Sequence, residues 1–120
     1  MRYVFCFLLW LIALTGCYFD HKNLVYPQTA CTLTNVTYST TVTGILTNSC
    51  YVCHSGTASA GAGIRLDSYA SLKVYITNGQ LMNSIAHTGG IPAMPLGGSQ
   101  LSSCEISTIQ AWITNGAPNN

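Results

Sequence analysis

The sequence predicts a small, mainly α-helical domain in which short helices are joined by long loops. Two observations carry this. Stretches with apolar residues at helical spacing recur along the chain, and the last is bounded by cap signals at both ends. No pair of alternating apolar and polar runs reads as a strand hairpin, and no internal repeat is visible. The 120 residues suffice for one small domain. A domain of that size buries a modest fraction of its surface and usually carries a reinforcement.

The chain opens with one cationic side chain, Arg2, before a continuous apolar run from Val4 to Leu14. A membrane-spanning helix needs about 20 apolar residues, so this run has instead the form of a secretory signal core. It ends in Leu14-Thr15-Gly16-Cys17, which resembles a bacterial lipobox, in which Cys17 takes a diacylglycerol and becomes the first mature residue. The plain alternative is an ordinary signal peptide with a chance cysteine, or an uncleaved anchor. Residues 1–16 are thus expected to be a lipoprotein signal peptide, 17–37 a lipid-anchored tether and 38–120 the folded domain. The tether is rich in Thr, Asn and Tyr; Val36 and Tyr38 alternate with Thr, which suits a short extended piece docking on the domain. The protein is expected to be exported and held on a bacterial membrane through the lipid on Cys17, facing the periplasm or cell surface.

Charged residues make up 6% of the chain and the formal net charge is +1, which leaves no electrostatic case for a nucleic-acid partner. Beyond residue 16, Lys22, Arg65 and Lys73 balance Asp20, Asp67 and Glu105. No charged face is available for long-range steering.

Within 38–120 the first helix is expected over Ser39–Asn48, with Val42, Ile45 and Leu46 on one side. Its β-branched residues and Gly44 are poor helix formers, so packing must hold it. Gly44 either admits a second helix closely or is merely tolerated. Gly56 to Gly63 is a small-residue loop, and with no Lys-Ser or Lys-Thr after it this is not a phosphate loop. Asp67 is expected to cap a helix over Ser68–Asn78, with Tyr69, Leu72 and Ile76 on one face and Gly79 closing it. A shorter helix follows near Gln80–His87, ended by Gly89-Gly90. The last begins at a capping box, Ser102-Ser103-Cys104-Glu105, with Leu101 and Ile106 placed as a hydrophobic staple. Ile106, Ile109, Trp112 and Ile113 form its stripe, and Asn115-Gly116 stops it.

Of the six cysteines, Cys6 leaves with the signal and Cys17 takes lipid. Cys50-Tyr51-Val52-Cys53-His54 is a C-x-x-C-H run, the pattern of covalent haem attachment. Two thiols one helical turn apart each add to one vinyl group of a single haem, and the following histidine turns a ring nitrogen to the iron from the same side. Three readings compete: a structural zinc site of Cys50, Cys53, His54 and His87; a thioredoxin-like pair, for which the βαβ context is missing; and a strained local disulfide. Cys31 and Cys104 are then an even remainder, expected to pair as a disulfide across the haem region or to stay as buried free thiols.

For the second axial position, Ile91-Pro92-Ala93-Met94-Pro95 is the leading candidate, because two prolines fix the backbone around Met94 and Pro95 keeps it out of helical geometry. His/Met ligation raises the haem potential. Met82, at an apolar helical position, and His87, at a helix end, are the other candidate ligands, and an open site is the remaining possibility. Tyr69, Tyr75 and Trp112 can pack on haem or serve as core, and Arg65 can meet a propionate or stay solvated. Long loops, unusual in an ordinary domain, make sense around a large flat cofactor.

Residues 38–120 resemble a monohaem c-type cytochrome domain. Val42–Leu46 before the C-x-x-C-H run, Ala93-Met94-Pro95 and the helix from Glu105 to Ile113 carry the likeness. Gly16-Cys17-Tyr18-Phe19-Asp20 with Leu24-Val25-Tyr26-Pro27 resembles small lipoproteins that bear such a domain. The resemblance implies a cytochrome c-like fold wrapped around one covalent haem c. It implies thioether bonds at Cys50 and Cys53, iron ligation by His54 and Met94, and electron transfer to and from redox protein partners. No small-molecule substrate and no catalysis are then expected; the alternative is a haem peroxidase or gas-binding sensor with a labile sixth ligand. One departure matters. Many members place a proline soon after the motif, whose carbonyl orients the proximal histidine. Here none occurs between His54 and Pro92. Another backbone carbonyl, expected in the Gly56–Gly63 loop, has to accept from the His54 ring.

Overall fold

The structure, a computed structural model, describes residues 31–120. The signal segment, the lipidation candidate Cys17 and the tether up to Ala30 lie outside the described residues. Cys31–Asn120 forms one compact unit. Helices account for about half of it, with no strand among the described residues. No helix among them is long and apolar enough to cross a membrane.

Residues 31–37, read from the sequence as the end of the tether, belong to this unit. Cys31 is bonded to Cys104, a turn at Thr34-Asn35 uses a left-handed Asn35 (φ 57°), and Val36 is buried in the core. The expected first helix is two segments. Tyr38–Val42 winds as a π-helical turn, with Val42 N–H donating to the Thr37 carbonyl at 3.0 Å, and runs into α1, Thr43–Ser49. Threonine accounts for the wide turn: Thr37 and Thr40 hydroxyls meet at 2.6 Å, and Thr43 and Thr47 hydroxyls donate to carbonyls four residues back. Such bonds compete with regular helical pairing. A Cβ on Gly44 would meet nothing within 4 Å, so this glycine admits no close neighbour in the domain.

Cys50 ends α1 and starts α2, Tyr51–His54. A loop with one 3₁₀ turn, Ser59–Gly61, leads to α3, Tyr69–Thr77. Ser68, not Asp67, caps α3, its hydroxyl accepting from Ser71 N–H. Asp67 reaches back instead to the Gly56 N–H at 2.8 Å. Asn78 and the left-handed Gly79 end α3 and open α4, Gln80–Ile85. α4 stops two residues short of the expected end because His87 turns left-handed (φ 56°). α5 spans Ser103–Thr114 with the capping box formed in both directions.

The core gathers one face of each element: Val42 and Leu46, Leu66, Leu72, Leu81 and Ile85, Ile109 and Trp112. Leu101 belongs to it and the half-buried Ile106 packs against it, in keeping with the staple. Tyr38 stacks on Trp112 at 5.7 Å between ring centroids, and Tyr69 meets both edge-on. Tyr69 donates its hydroxyl to the Ala117 carbonyl at 2.7 Å and Trp112 its indole N–H to Pro118 at 3.0 Å. These two aromatics are therefore core, with their polar ends committed to the chain rather than to a propionate. The terminal segment closes the bundle: Ala117 is buried, and Asn120 accepts the otherwise unpaired N–H groups of Tyr38 and Ser39.

Candidate haem-attachment site

A stub of helix four residues long sets the candidate site. His54 N–H and Cys53 N–H both donate to the Cys50 carbonyl, at 2.9 and 3.1 Å. The winding places Cys50, Cys53 and His54 on one side of a single turn. Cys53 is exposed, whereas Cys50 is partly buried. Burial first, then the Glu105 carboxylate, push the Cys50 thiol up to about 11, so it is protonated at neutral pH.

His54 is buried, at 9% exposure. Its Nδ1 lies 2.9 Å from the Ile64 carbonyl oxygen. A carbonyl can only accept, so Nδ1 carries a proton, and of the two neutral tautomers this contact selects the one whose Nε2 has the free lone pair. Among the described residues nothing bonds Nε2, and it is not a sealed polar atom, since no buried side-chain nitrogen or oxygen there lacks a partner. A neutral imidazole with Nδ1–H tied to a backbone carbonyl and Nε2 open is the form that ligates a metal. The acceptor sits one residue beyond the small-residue loop. A second bond, Leu66 N–H to the His54 carbonyl at 2.8 Å, holds the same strand of backbone against α2.

The loop is shaped by the ring it supports. A Cβ on Gly61 would stand 2.5 Å from both His54 Nδ1 and the Cys53 carbonyl oxygen. Only a residue without a side chain fits there. Ala58, buried, and Ala62 take left-handed conformations on either side of the 3₁₀ turn. Asp67 ties the loop ends together through Gly56 N–H, and Arg65 pairs with it at 3.2 Å, so Arg65 is engaged within the protein. The Gly56 N–H, then Arg65, hold the Asp67 carboxyl below the usual range.

Met94 is half-buried, and its peptide bond to Pro95 is cis. Its N–H donates to the Ser84 carbonyl at 3.0 Å, and its carbonyl faces His87 Nε2 at 3.0 Å. Met82 packs against the core from α4, as a filler would. The zinc set is not assembled: no three His, Cys, Asp or Glu side chains among the described residues gather to hold a metal ion. His87 Nε2 is occupied by the Met94 carbonyl. Two surface hollows lie on the outer face of α3 and between α4 and α5, and neither includes Cys50, Cys53, His54 or Met94.

Cys31 and Cys104 are disulfide-bonded, with Cα atoms 5.5 Å apart. Sequence reasoning did not find Gly61, Ile64 or the His87–Met94 contact. Of these, only Gly61 carried a signal, as one of three glycines in the eight residues Gly56–Gly63. Comparisons with protein-family models, with curated proteins and with solved structures found no match to this chain.

Proposed function

We propose that the protein is a membrane-anchored, monohaem c-type electron carrier with a cytochrome c-like fold. The observation that carries this is the state of His54. In a C-x-x-C-H run the histidine has to present Nε2 to the iron, and an Nδ1–H held by the Ile64 carbonyl supports that orientation and tautomer. The donor set suits haem better than a bare ion. Haem needs two thiols on one turn and an axial nitrogen beside them, while a bare ion needs converging side chains that are not gathered here.

Cys50 and Cys53 would hold the haem by thioether bonds, His54 Nε2 and Met94 Sδ its iron. The haem, when bound, supplies a reversible one-electron change at iron. The chain does the rest. Ile64 orients the His54 ring through Nδ1, and Gly61 lets the loop press on that ring. Ser84 holds the backbone of Met94, whose thioether would serve as the second iron ligand. Lipid on Cys17 would keep the domain at a membrane surface facing exported redox partners.

Optical spectra after expression in a host that matures haem c test this reading. Sharp ferrous bands of covalent low-spin haem, unchanged by carbon monoxide, are expected. A high-spin spectrum that shifts with carbon monoxide would make the protein a peroxidase or gas sensor instead. Absence of haem, with a control cytochrome matured in the same cells, would overturn the assignment.

A further inference from the structure

His87 is a histidine with a job other than ligation. It follows α4 directly and adopts a left-handed backbone (φ 56°), which costs a non-glycine residue energy and is retained where something fixes it. That turn carries the ring to Met94: Nε2 lies 3.0 Å from the Met94 carbonyl oxygen. The acceptor is a carbonyl, so Nε2 bears the proton and donates. Met94 lies ten residues after Ser84 and seven after His87, yet the same helix end grips it twice. Ser84 takes its N–H at 3.0 Å, and His87 takes its carbonyl. Thr88 N–H closes the turn on the Asn83 carbonyl at 2.9 Å. A Cβ on Gly89 would fall 2.9 Å from the Asn83 side chain, so the chain passes close over α4 here.

We propose that His87 is a positioning residue that clamps the Met94 strap and thereby keeps the sixth iron position closed. This rests on the electron-carrier reading above and adds what decides between a closed and an open iron. With both polar groups of Met94 held, the segment Ile91–Pro95 has little freedom to swing its thioether away. Without the His87 bond the Met94 carbonyl is released to water, only the Ser84 bond remains, and the open form gains population. A hydrogen bond of ordinary strength moves such an equilibrium by roughly threefold to tenfold.

The experiment compares wild type, His87→Ala and His87→Gln as matured haem proteins. Gln places an amide N–H at about the reach of Nε2, and neither replacement relieves the left-handed backbone, so the pair isolates the hydrogen bond. The readouts are the near-infrared ferric charge-transfer band of an iron–thioether bond and the fraction of ferrous protein that binds carbon monoxide. Melting curves are recorded alongside. The expected result is a weakened band and a roughly threefold to tenfold larger carbon monoxide-binding fraction in His87→Ala, with His87→Gln returning toward wild type. A His87→Ala protein indistinguishable from wild type overturns the clamp. Equal loss in both variants also overturns it, since then the ring itself, not its N–H, is what matters. A wild type lacking the thioether band fails earlier and on different grounds, because it removes the Met94 ligation on which the clamp rests.

Discussion

A methyl group on Gly61 would collide with the Cys53 carbonyl and the His54 ring at 2.5 Å. One contact is backbone and cannot yield; the other is the ring whose Nδ1 bond orients it. Gly61→Ala is therefore expected to destabilise the domain by about 1–3 kcal/mol, the usual cost of overpacking. It should also turn His54 away from Ile64, lowering the haem incorporated per polypeptide. Gly44→Ala is the matched opposite. Its Cβ meets nothing within 4 Å and it sits inside a helical run, so alanine is expected to add about 0.5–1 kcal/mol. Denaturant unfolding of both variants checks the pair, and a neutral Gly61→Ala would remove the loop from the account of the site. What was legible at this scale follows from side-chain chemistry. Cys50, Cys53 and His54 announce themselves because few residue types do that chemistry at that spacing. Ile64 did not, because every residue has a carbonyl and only the path of the loop decides which one reaches Nδ1. His87 was legible as a notable histidine, yet its partner is again a backbone oxygen.

At the scale of the element, α5 shows what local sequence can specify. Ser102 and Glu105 exchange bonds with each other's N–H, at 2.9 Å from Ser102 N–H to the Glu105 carboxylate and 3.2 Å from Glu105 N–H to the Ser102 hydroxyl. The signal is four residues long and independent of the rest of the fold, so the sequence alone exposes it. Ser102→Ala removes the cap and is expected to cost about 1 kcal/mol, with most of the loss in α5. Hydrogen exchange should show faster opening of its first-turn amides while those of α3 stay as slow as before; uniform acceleration would mean that α5 is not separately anchored. α3 reads less well because Asp67 and Ser68 are both good caps, and the deciding fact is distant. Gly56 offers an N–H eleven residues upstream, and Asp67 takes it. The π-helical turn over Tyr38–Val42 is harder still. Its apolar positions fit a 3.6 period, and the wider winding comes from four threonine hydroxyls in and beside it competing with the backbone.

Over the whole molecule, closure is achieved by long-range ties that propensity does not register. Ala117 is buried by a tail that returns to Trp112 and Tyr69, and nothing in Ala-Pro-Asn-Asn hints at it. The disulfide is the exception, because pairing by elimination needs only a count of cysteines and an oxidising compartment. Its position makes it consequential. Cys31 begins the compact unit and Cys104 lies in the first turn of α5, so the 73-residue span between them contains α1 to α4, the C-x-x-C-H run and the Met94 strap. In the chain-entropy model a loop of that length is worth about 4–5 kcal/mol, taken from the freedom of the unfolded chain. That is a large share of the roughly 5–15 kcal/mol of a typical domain. A haem bonded to Cys50 and Cys53 would not replace it, since those two residues would close only a four-residue ring. The double variant Cys31→Ser/Cys104→Ser, which leaves no stray thiol, is therefore expected to unfold at markedly lower denaturant, by about 4–5 kcal/mol when extrapolated to water. Matured wild-type protein held in reductant should match it. A loss below about 1 kcal/mol would mean that the segment ahead of Tyr38 is held by Val36 and its neighbours rather than by the sulfur bridge.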